Sequence, residues 1–292
     1  MDVSLIILVY NDGRRASGLV EKIKDHKTFD HIVIVNNCST DDTYEVISAA
    51  ALTCPTKVTV ISTPENGGYA KGNNFGVRYA LDHFNSDYIF IANPDTFFTD
   101  ETSHAMLCAL KNHPEYGVAA PIVTQGCNVW RLTGFASVIE SLFLIIFNLD
   151  RRRLKKRLIS CGHTLVAVDV VEGSFFAISR YAYEKTGGFD ERTFLYGEEM
   201  ILSYRLRQAG LKTGVLTKER YDHLHSATIK KLNNNSKARA FHHFRDSFRI
   251  FNKYYLHTGP LQDLIFECAY GLAYMERVIY DRIVSLFEKR LN

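Results

Sequence analysis

Asp95 is the side chain whose neighbours best fit it for chemistry. It closes Asn93-Pro94-Asp95, directly after the uninterrupted apolar run Tyr88-Ile89-Phe90-Ile91-Ala92. Such a run suits a strand buried on both faces of a parallel sheet. Pro94 cannot donate to a ladder and biases Asn93 away from the helical region, so the strand ends there. Asp95 then falls at the carboxyl edge, where open α/β sheets bind their ligands. A carboxylate with an amide oxygen two residues earlier offers hard oxygens to Mg²⁺ or Mn²⁺ and to the phosphates such an ion carries. The plainer alternative is a strand followed by an Asn-Pro-Asp turn. A second acidic pair, Glu198-Glu199, opens a helix over 200–209 that Gly210 ends. Successive helical residues point about 100° apart, so only one of the two faces a given edge. His223 and His225, two apart in an extended segment, project the same way and suit one ion or a diphosphate.

These groups need a frame, and the first third of the chain supplies one. Apolar runs predict strands over 3–9, 31–35, 57–62 and 87–92, with helical patterns over 14–26, 41–51 and 70–84 between them. That order argues for a parallel sheet with helices on both faces, and every loop after a strand opens on one edge. The loops are Tyr10-Asn11-Asp12-Gly13, Asn36-Asn37-Cys38-Ser39-Thr40-Asp41-Asp42, and the Gly-rich segment from Pro64 to Gly76. The last leads into a helix whose amino end, with Lys71 nearby, suits phosphate oxygens. Its spacing is neither G-x-G-x-x-G nor a P-loop, so neither nucleotide fingerprint is indicated. Ser39 before Asp41 and Asp42 reads most simply as a helix cap.

Composition bounds the answer without choosing it. With 292 residues, 46% apolar, 23% charged and a formal net charge of +3, the chain is an ordinary globular protein. Its bases are clustered: six of the seven residues from Arg151 to Arg157 are basic, and 230–253 is again rich in Lys, Arg and His. Such clusters favour anionic partners, but they lack the interleaved aromatics of a nucleic-acid module. Six scattered cysteines form no C-x-x-C pair and read as reduced thiols. The start carries an acid where a signal peptide needs bases, so a cytoplasmic location is expected.

Five blocks, the fifth in two parts, together carry a resemblance. Val9-Tyr10-Asn11, Val35-Asn36-Asn37-Cys38-Ser39-Thr40-Asp41, Asn66-Gly67-Gly68-Tyr69-Ala70-Lys71-Gly72-Asn73 and Asn93-Pro94-Asp95 occur in this order. They are followed by Gly187-Gly188-Phe189-Asp190-Glu191 and Phe194-Leu195-Tyr196-Gly197-Glu198-Glu199. The set resembles the family 2 glycosyltransferases of GT-A fold, over about residues 3 to 228. The resemblance implies an α/β GT-A domain over 1–228, with a nucleotide-sugar half (1–100) and an acceptor half (101–228), then a helical extension over 229–292. It implies donor contacts at Val9, Tyr10, Asn11, Asn36, Asn66, Gly67, Lys71, Asn74, Asn93 and Asp95. Asp95, with His223, would hold Mg²⁺ or Mn²⁺, and Trp130, Glu172, Gly173 and Tyr196 would meet the acceptor. An acidic residue of the last block would act as base; alignment with the family's Glu-Asp favours Glu199 over Glu198.

Two departures stand out. Asn36 replaces the usual Asp that receives the nucleobase imide hydrogen; its amide oxygen still accepts, without the charge. Glu198-Glu199 replaces Glu-Asp, a change of one methylene in reach. The implied activity is inverting transfer from a nucleoside-diphosphate sugar, with a deoxythymidine or uridine base, to a lipid-linked or growing surface polysaccharide. Asn-Pro-Asp in place of Asp-x-Asp resembles the rhamnosyl branch, which makes L-rhamnose the leading sugar. The competing class is a non-catalytic nucleotide-sugar-binding subunit.

The remaining expectations are coarser. A helix over 101–112 and a strand over 116–123 precede the apolar segment 135–149, which abuts the basic run. It is too interrupted to span a bilayer and suits a helix lying on an anionic leaflet, at the inner face of the cell membrane, or else a buried helix with a solvated basic loop. A single strand is expected over 166–178. Leu261, Leu264, Ile265, Cys268, Leu272, Met275, Ile279, Ile283 and Leu286 recur at helical spacing and read as one packing face, against the domain, a second copy in a homodimer, or the membrane.

Overall fold

Strand formation follows the apolar runs closely. In the computed structural model, which describes residues 1–132, 134–224 and 237–291, the parallel strands β1 (Val3–Val9), β2 (His31–Asn36), β3 (Val58–Ser62) and β4 (Tyr88–Ala92) stand side by side. Helices α1 (Gly13–Ile23), α2 (Thr43–Ala51) and α3 (Gly68–Phe84) connect them. Val9 is level with Asn36, and Asn36 with Ser62, while Ile7 is level with Ala92. All four carboxyl ends therefore finish on one rim. His225 lies outside the described residues.

The second half completes a mixed sheet. In chain order it contains β5 (Thr96–Phe97), α4 (Asp100–Asn112), β6 (Tyr116–Val123), β7 (Val129–Trp130), α5 (Phe135–Leu142), α6 (Leu144–Ser160), β8 (Leu165–Val168), β9 (Val170–Val171) and β10 (Phe175–Ser179). Then follow α7 (Arg180–Thr186), α8 (Glu198–Gln208) and β11 (Lys212–His223). Among the described residues the main sheet runs β3-β2-β1-β4-β10-β6-β11-β5, with β8 also on β11. β10 is antiparallel to both β4 and β6. The strand expected over 166–178 is thus three: β8 joins β11, β9 pairs with β7 in a separate ribbon, and β10 enters the main sheet. The breaks fall at Asp169, whose carboxylate accepts the Leu132 N–H, and at Glu172-Gly173-Ser174.

Alternation along β1 divides the core. Leu5, Ile7 and Val9 pack on one face with residues of α1, α2 and α4, and Ile6 packs on the other with α3, α7 and α8. A third cluster joins Val138, Leu142, Met200 and Ile201 to Phe241, Phe248, Phe251 and Phe266. Those phenylalanines belong to α9 (Lys237–Phe251) and α10 (Pro260–Leu291), which a π-helical turn, Asn252–Leu256, connects. The periodic leucines and isoleucines of α10 do not form this contact. Leu261, Leu264, Leu272 and Ile279 are exposed, and Phe266, Ala269, Tyr270 and Ala273 face the domain instead. The helix is apolar on two sides, which periodicity alone does not rank.

Candidate active site

The first three loops are fastened to one another through asparagines. Asn11 takes a left-handed backbone; its N–H donates to Ser39 Oγ and its side-chain oxygen accepts the Thr40 N–H. Ser39 is therefore a link between loops, and α2 begins at Thr43 without it. The buried Asn36 turns its oxygen to the Ser39 N–H and its amide to Ser62 Oγ, at 3.1 and 3.3 Å. Asn37 donates to Asn66 Oδ1 and to the Gly68 carbonyl, and its own N–H goes to the Val9 carbonyl. Val9 is buried in β1 and so contributes a fixed backbone rather than a side chain. Tyr10 and Asn66 stand part-buried on the same rim.

Three features expected at the donor, the amino end of α3, Lys71 and Asn74, meet protein groups here. The amino end of α3 is partly closed by the chain itself, because Gly68 N–H donates to Asn66 Oδ1 and Tyr69 N–H to the Phe194 carbonyl. Gly67 is the residue before this helix, and exposed Lys71 pairs with exposed Glu65 at 2.6 Å. Lys71 and the helix end are thus engaged with protein groups. Asn74 is buried with all four of its hydrogen-bonding positions filled. Tyr183 OH and Phe189 N–H donate to its oxygen, and its amide donates to the Phe189 carbonyl and Glu191. It binds α3 to the Gly187–Glu191 loop and has no position left for a donor sugar.

The acidic and basic groups meet at the end of β4. Asn93 N–H donates to the Ser174 carbonyl, and Asp95 is only 1% exposed. Neither Asp95 oxygen has a hydrogen-bond partner. β5 pairs with the end of β11, Thr96 opposite His223, which brings His223 Nε2 to 3.3 Å from Asp95 Oδ1. That is ion-pair range without hydrogen-bond alignment. The other ring nitrogen, Nδ1, is 3.0 Å from Glu172 Oε1, and Glu172 Oε2 is 3.5 Å from Arg151. Arg151 lies over the rings of Trp130 and Phe147. Burial lowers the His223 imidazolium pKa, but Asp95 and then Glu172 more than offset it and hold it at about 9.

Glu172 was expected on the acceptor and Arg151 on a membrane. The structure places both in this charge chain, with Trp130 as the platform under Arg151. Helical phase carried the missed signal: Phe147, Arg151, Leu154 and Leu158 follow at i, i+4, i+7 and i+11 on the inner side of α6.

Glu199 completes the site from α8. Its Oε1 is 3.4 Å from the Gly173 N–H and its Oε2 has no partner. Gly173 is held from behind by Tyr69, whose hydroxyl donates to its carbonyl. Burial raises the Glu199 pKa and the Glu172 charge adds to it, while the Gly173 N–H acts the other way. Glu198 is 2% exposed; burial first, then the Glu199 charge, pushes it well above the carboxylate range. Both members of this buried pair are raised, Glu198 the further, which favours the shared proton on Glu198 over Glu199. Tyr196, in a left-handed backbone, stacks on Phe244 of α9 at 4.2 Å. Its placement anchors the turn before α8.

Asp95 is thus a buried carboxylate without a hydrogen bond, ion-paired with His223, at the rim where four loops converge, and its oxygens are of the type a hard divalent cation takes. Among the described residues no group of three or more His, Cys, Asp or Glu side chains forms a ready metal cluster. The family model for glycosyl transferase family 2 matches residues 4–186. The chain belongs to that family. It is a glycosyltransferase that uses nucleotide sugars, and the sheet is that of the GT-A fold.

Similar proteins agree at this level. The low-salt glycan biosynthesis hexosyltransferase Agl10 of Haloferax volcanii is 26% identical over 251 residues, covering 86% of this chain and 76% of that one. The N-acetylglucosaminyl-diphospho-decaprenol L-rhamnosyltransferase of Mycobacterium tuberculosis is 24% identical over 201 residues, 61% of each chain. Among solved structures, a mannosyltransferase from Pyrobaculum calidifontis in complex with GDP-Man and Mn²⁺ superposes with a TM-score of 0.57 at 17% identity, covering 94% of this chain and 73% of that one. GalNAc-T7 with UDP, GalNAc and Mn²⁺ gives 0.63 at 14% identity, over 96% and 57%.

Proposed function

We propose that this glycosyltransferase moves an L-rhamnosyl unit from a deoxythymidine or uridine diphosphate sugar to a hydroxyl of a lipid-linked or growing surface glycan, with inversion. The observation that carries the chemistry is the buried Asp95 carboxylate, without a hydrogen bond and ion-paired with His223, across the Gly173 turn from Glu199. Asp95 and, once its Nε2 proton is lost, His223 would hold Mg²⁺ or Mn²⁺, which when bound offsets the negative charge that grows on the departing diphosphate. Glu199 takes the proton of the acceptor hydroxyl as it attacks. Its raised pKa makes it a stronger base than an exposed carboxylate, and with the shared proton on Glu198 the negative charge of the pair falls on it. Glu172 keeps the His223 ring turned with Nε2 toward Asp95. Asn11, Asn36, Asn37 and Asn66 hold the nucleotide loops in register, so the nucleobase meets a preformed rim.

Support for the sugar and acceptor comes from the Asn-Pro-Asp element and from the rhamnosyltransferase relative, whose name describes a lipid-diphosphate acceptor. A second reading, transfer of another hexose, is favoured by the hexosyltransferase relative. Thermal-shift screening of nucleotide sugars with and without Mn²⁺, followed by mass spectrometry of the product, separates them. Deoxythymidine-diphosphate rhamnose should raise the melting temperature most and add a deoxyhexose to the acceptor. A larger shift and a hexose adduct with another donor would overturn the rhamnose assignment.

A further inference from the structure

The outer side of α10 is an apolar line, joined near its end by the exposed base Arg282 at the helical phase of Leu264. Leu261, Leu264, Leu272, Met275, Ile279 and Ile283 are 48–71% exposed, and their spacing keeps them in one stripe about 33 Å long. An apolar strip of that length left in water marks a contact surface. α6 indicates what covers it. Ile145, Ile146 and Leu149 are 62%, 49% and 47% exposed, and exposed Arg152, Arg153 and Lys156 continue the same helical face. The two helices join where Glu276 of α10 accepts the N–H groups of Leu144 and Ile145, at 2.7 and 3.1 Å. Glu276 follows Met275 and precedes Ile279 by three, so the two apolar faces meet at this junction.

We propose that this two-helix face rests on an anionic lipid surface, its apolar stripe at the acyl-chain boundary and its bases against lipid phosphates. Charge decides the occupant. No acid stands on the exposed line of either helix among the described residues, so pairing the face with a second copy leaves the three bases without a counter-charge. None of the described helices is long and apolar enough to cross a membrane, so the face lies on the surface. The neighbouring Arg151 turns inward to Glu172 from the same helix turn. The active site is thereby held about one helix diameter, about 10 Å, from the lipid plane. That proximity serves a lipid-linked acceptor, and this last point alone rests on the function proposed above.

The test is co-sedimentation with phosphatidylcholine vesicles with and without phosphatidylglycerol. The parent protein should bind the anionic vesicles, and less so as salt rises. Combined Arg152→Gln, Arg153→Gln and Lys156→Gln should weaken binding about a hundredfold. Leu272→Gln with Ile279→Gln should remove the salt-resistant remainder. All five side chains are exposed, so the melting temperature of each variant should match the parent. Absence of binding by the parent overturns the proposal. So does a lipid-independent dimer in analytical ultracentrifugation that Leu272→Gln with Ile279→Gln dissociates. The readout is binding, so its failure leaves the transferase reading standing, and a failed transfer assay leaves this one standing.

Discussion

Glu198 and Glu199 differ by one position and, in the proposed mechanism, by role. Glu199→Gln should lower transfer by about 10²–10⁴-fold while calorimetry shows nucleotide binding unchanged, because only the proton acceptor is lost. Glu198→Gln places a neutral side chain where burial most disfavours a charge, and should retain most activity. The reverse order would exchange the two roles. Glu172→Gln tests the support of His223: weaker orientation of the ring should reduce Mn²⁺ affinity about 10–100-fold in a metal titration that does not depend on turnover. That Asp95 follows the end of β4 and that the acidic pair opens α8 were legible in the sequence, because a buried strand, a proline and a helix start surround them. Asn74 was not, since its four partners come from α7 and the loop after it, more than a hundred residues along the chain.

At the scale of elements, the site depends on close approach between loops. Gly68 has φ +79°, and an added Cβ would lie 2.1 Å from the Phe194 carbonyl oxygen. Gly68→Ala should cost about 2 kcal/mol or more and weaken nucleotide binding, since the clash is with backbone and the conformation disfavours a side chain. A melting temperature equal to the parent's would show that the two loops separate freely. The first four strands and their helices were readable from apolar runs because each strand belongs to one sheet along its whole length. The stretch 166–178 was not, because a continuous apolar run does not record that its middle leaves to pair with Val129 and Trp130. The basic run of α6 misled for a related reason: composition made its bases alike, whereas Arg151 and Lys155 are drawn inward, the latter onto the Val123, Thr124 and Gly126 carbonyls.

Across the whole molecule, a buried acid adds a polar tie to the apolar packing that fastens the C-terminal helices to the catalytic half. Asp190 receives Arg192 through both oxygens, and Tyr255 donates to it at 2.6 Å. Burial raises its pKa, but Arg192 and then Tyr255 outweigh that and hold it at about 2. Because the folded value is depressed, the stabilisation is complete above the ordinary value of 3.8 and is lost as pH falls through about 2. Arg192 is partly exposed and screened, so the contribution is about 1–2 kcal/mol. Asp190→Asn should remove that much stability at neutral pH and flatten acid unfolding between about pH 4 and 2; an unchanged acid profile would place the dependence elsewhere. That the extension is helical was readable from its spacing, but which side of α10 faces the domain was not, because both sides are apolar. The most direct measurement for the whole account is calorimetric binding of uridine and deoxythymidine diphosphates, with and without Mn²⁺, to the parent and to Asp95→Asn. Mn²⁺ should tighten binding at least about tenfold in the parent and have no such effect in the variant, a difference of about 1.4 kcal/mol. Equal tightening in both would contradict a cation held by Asp95.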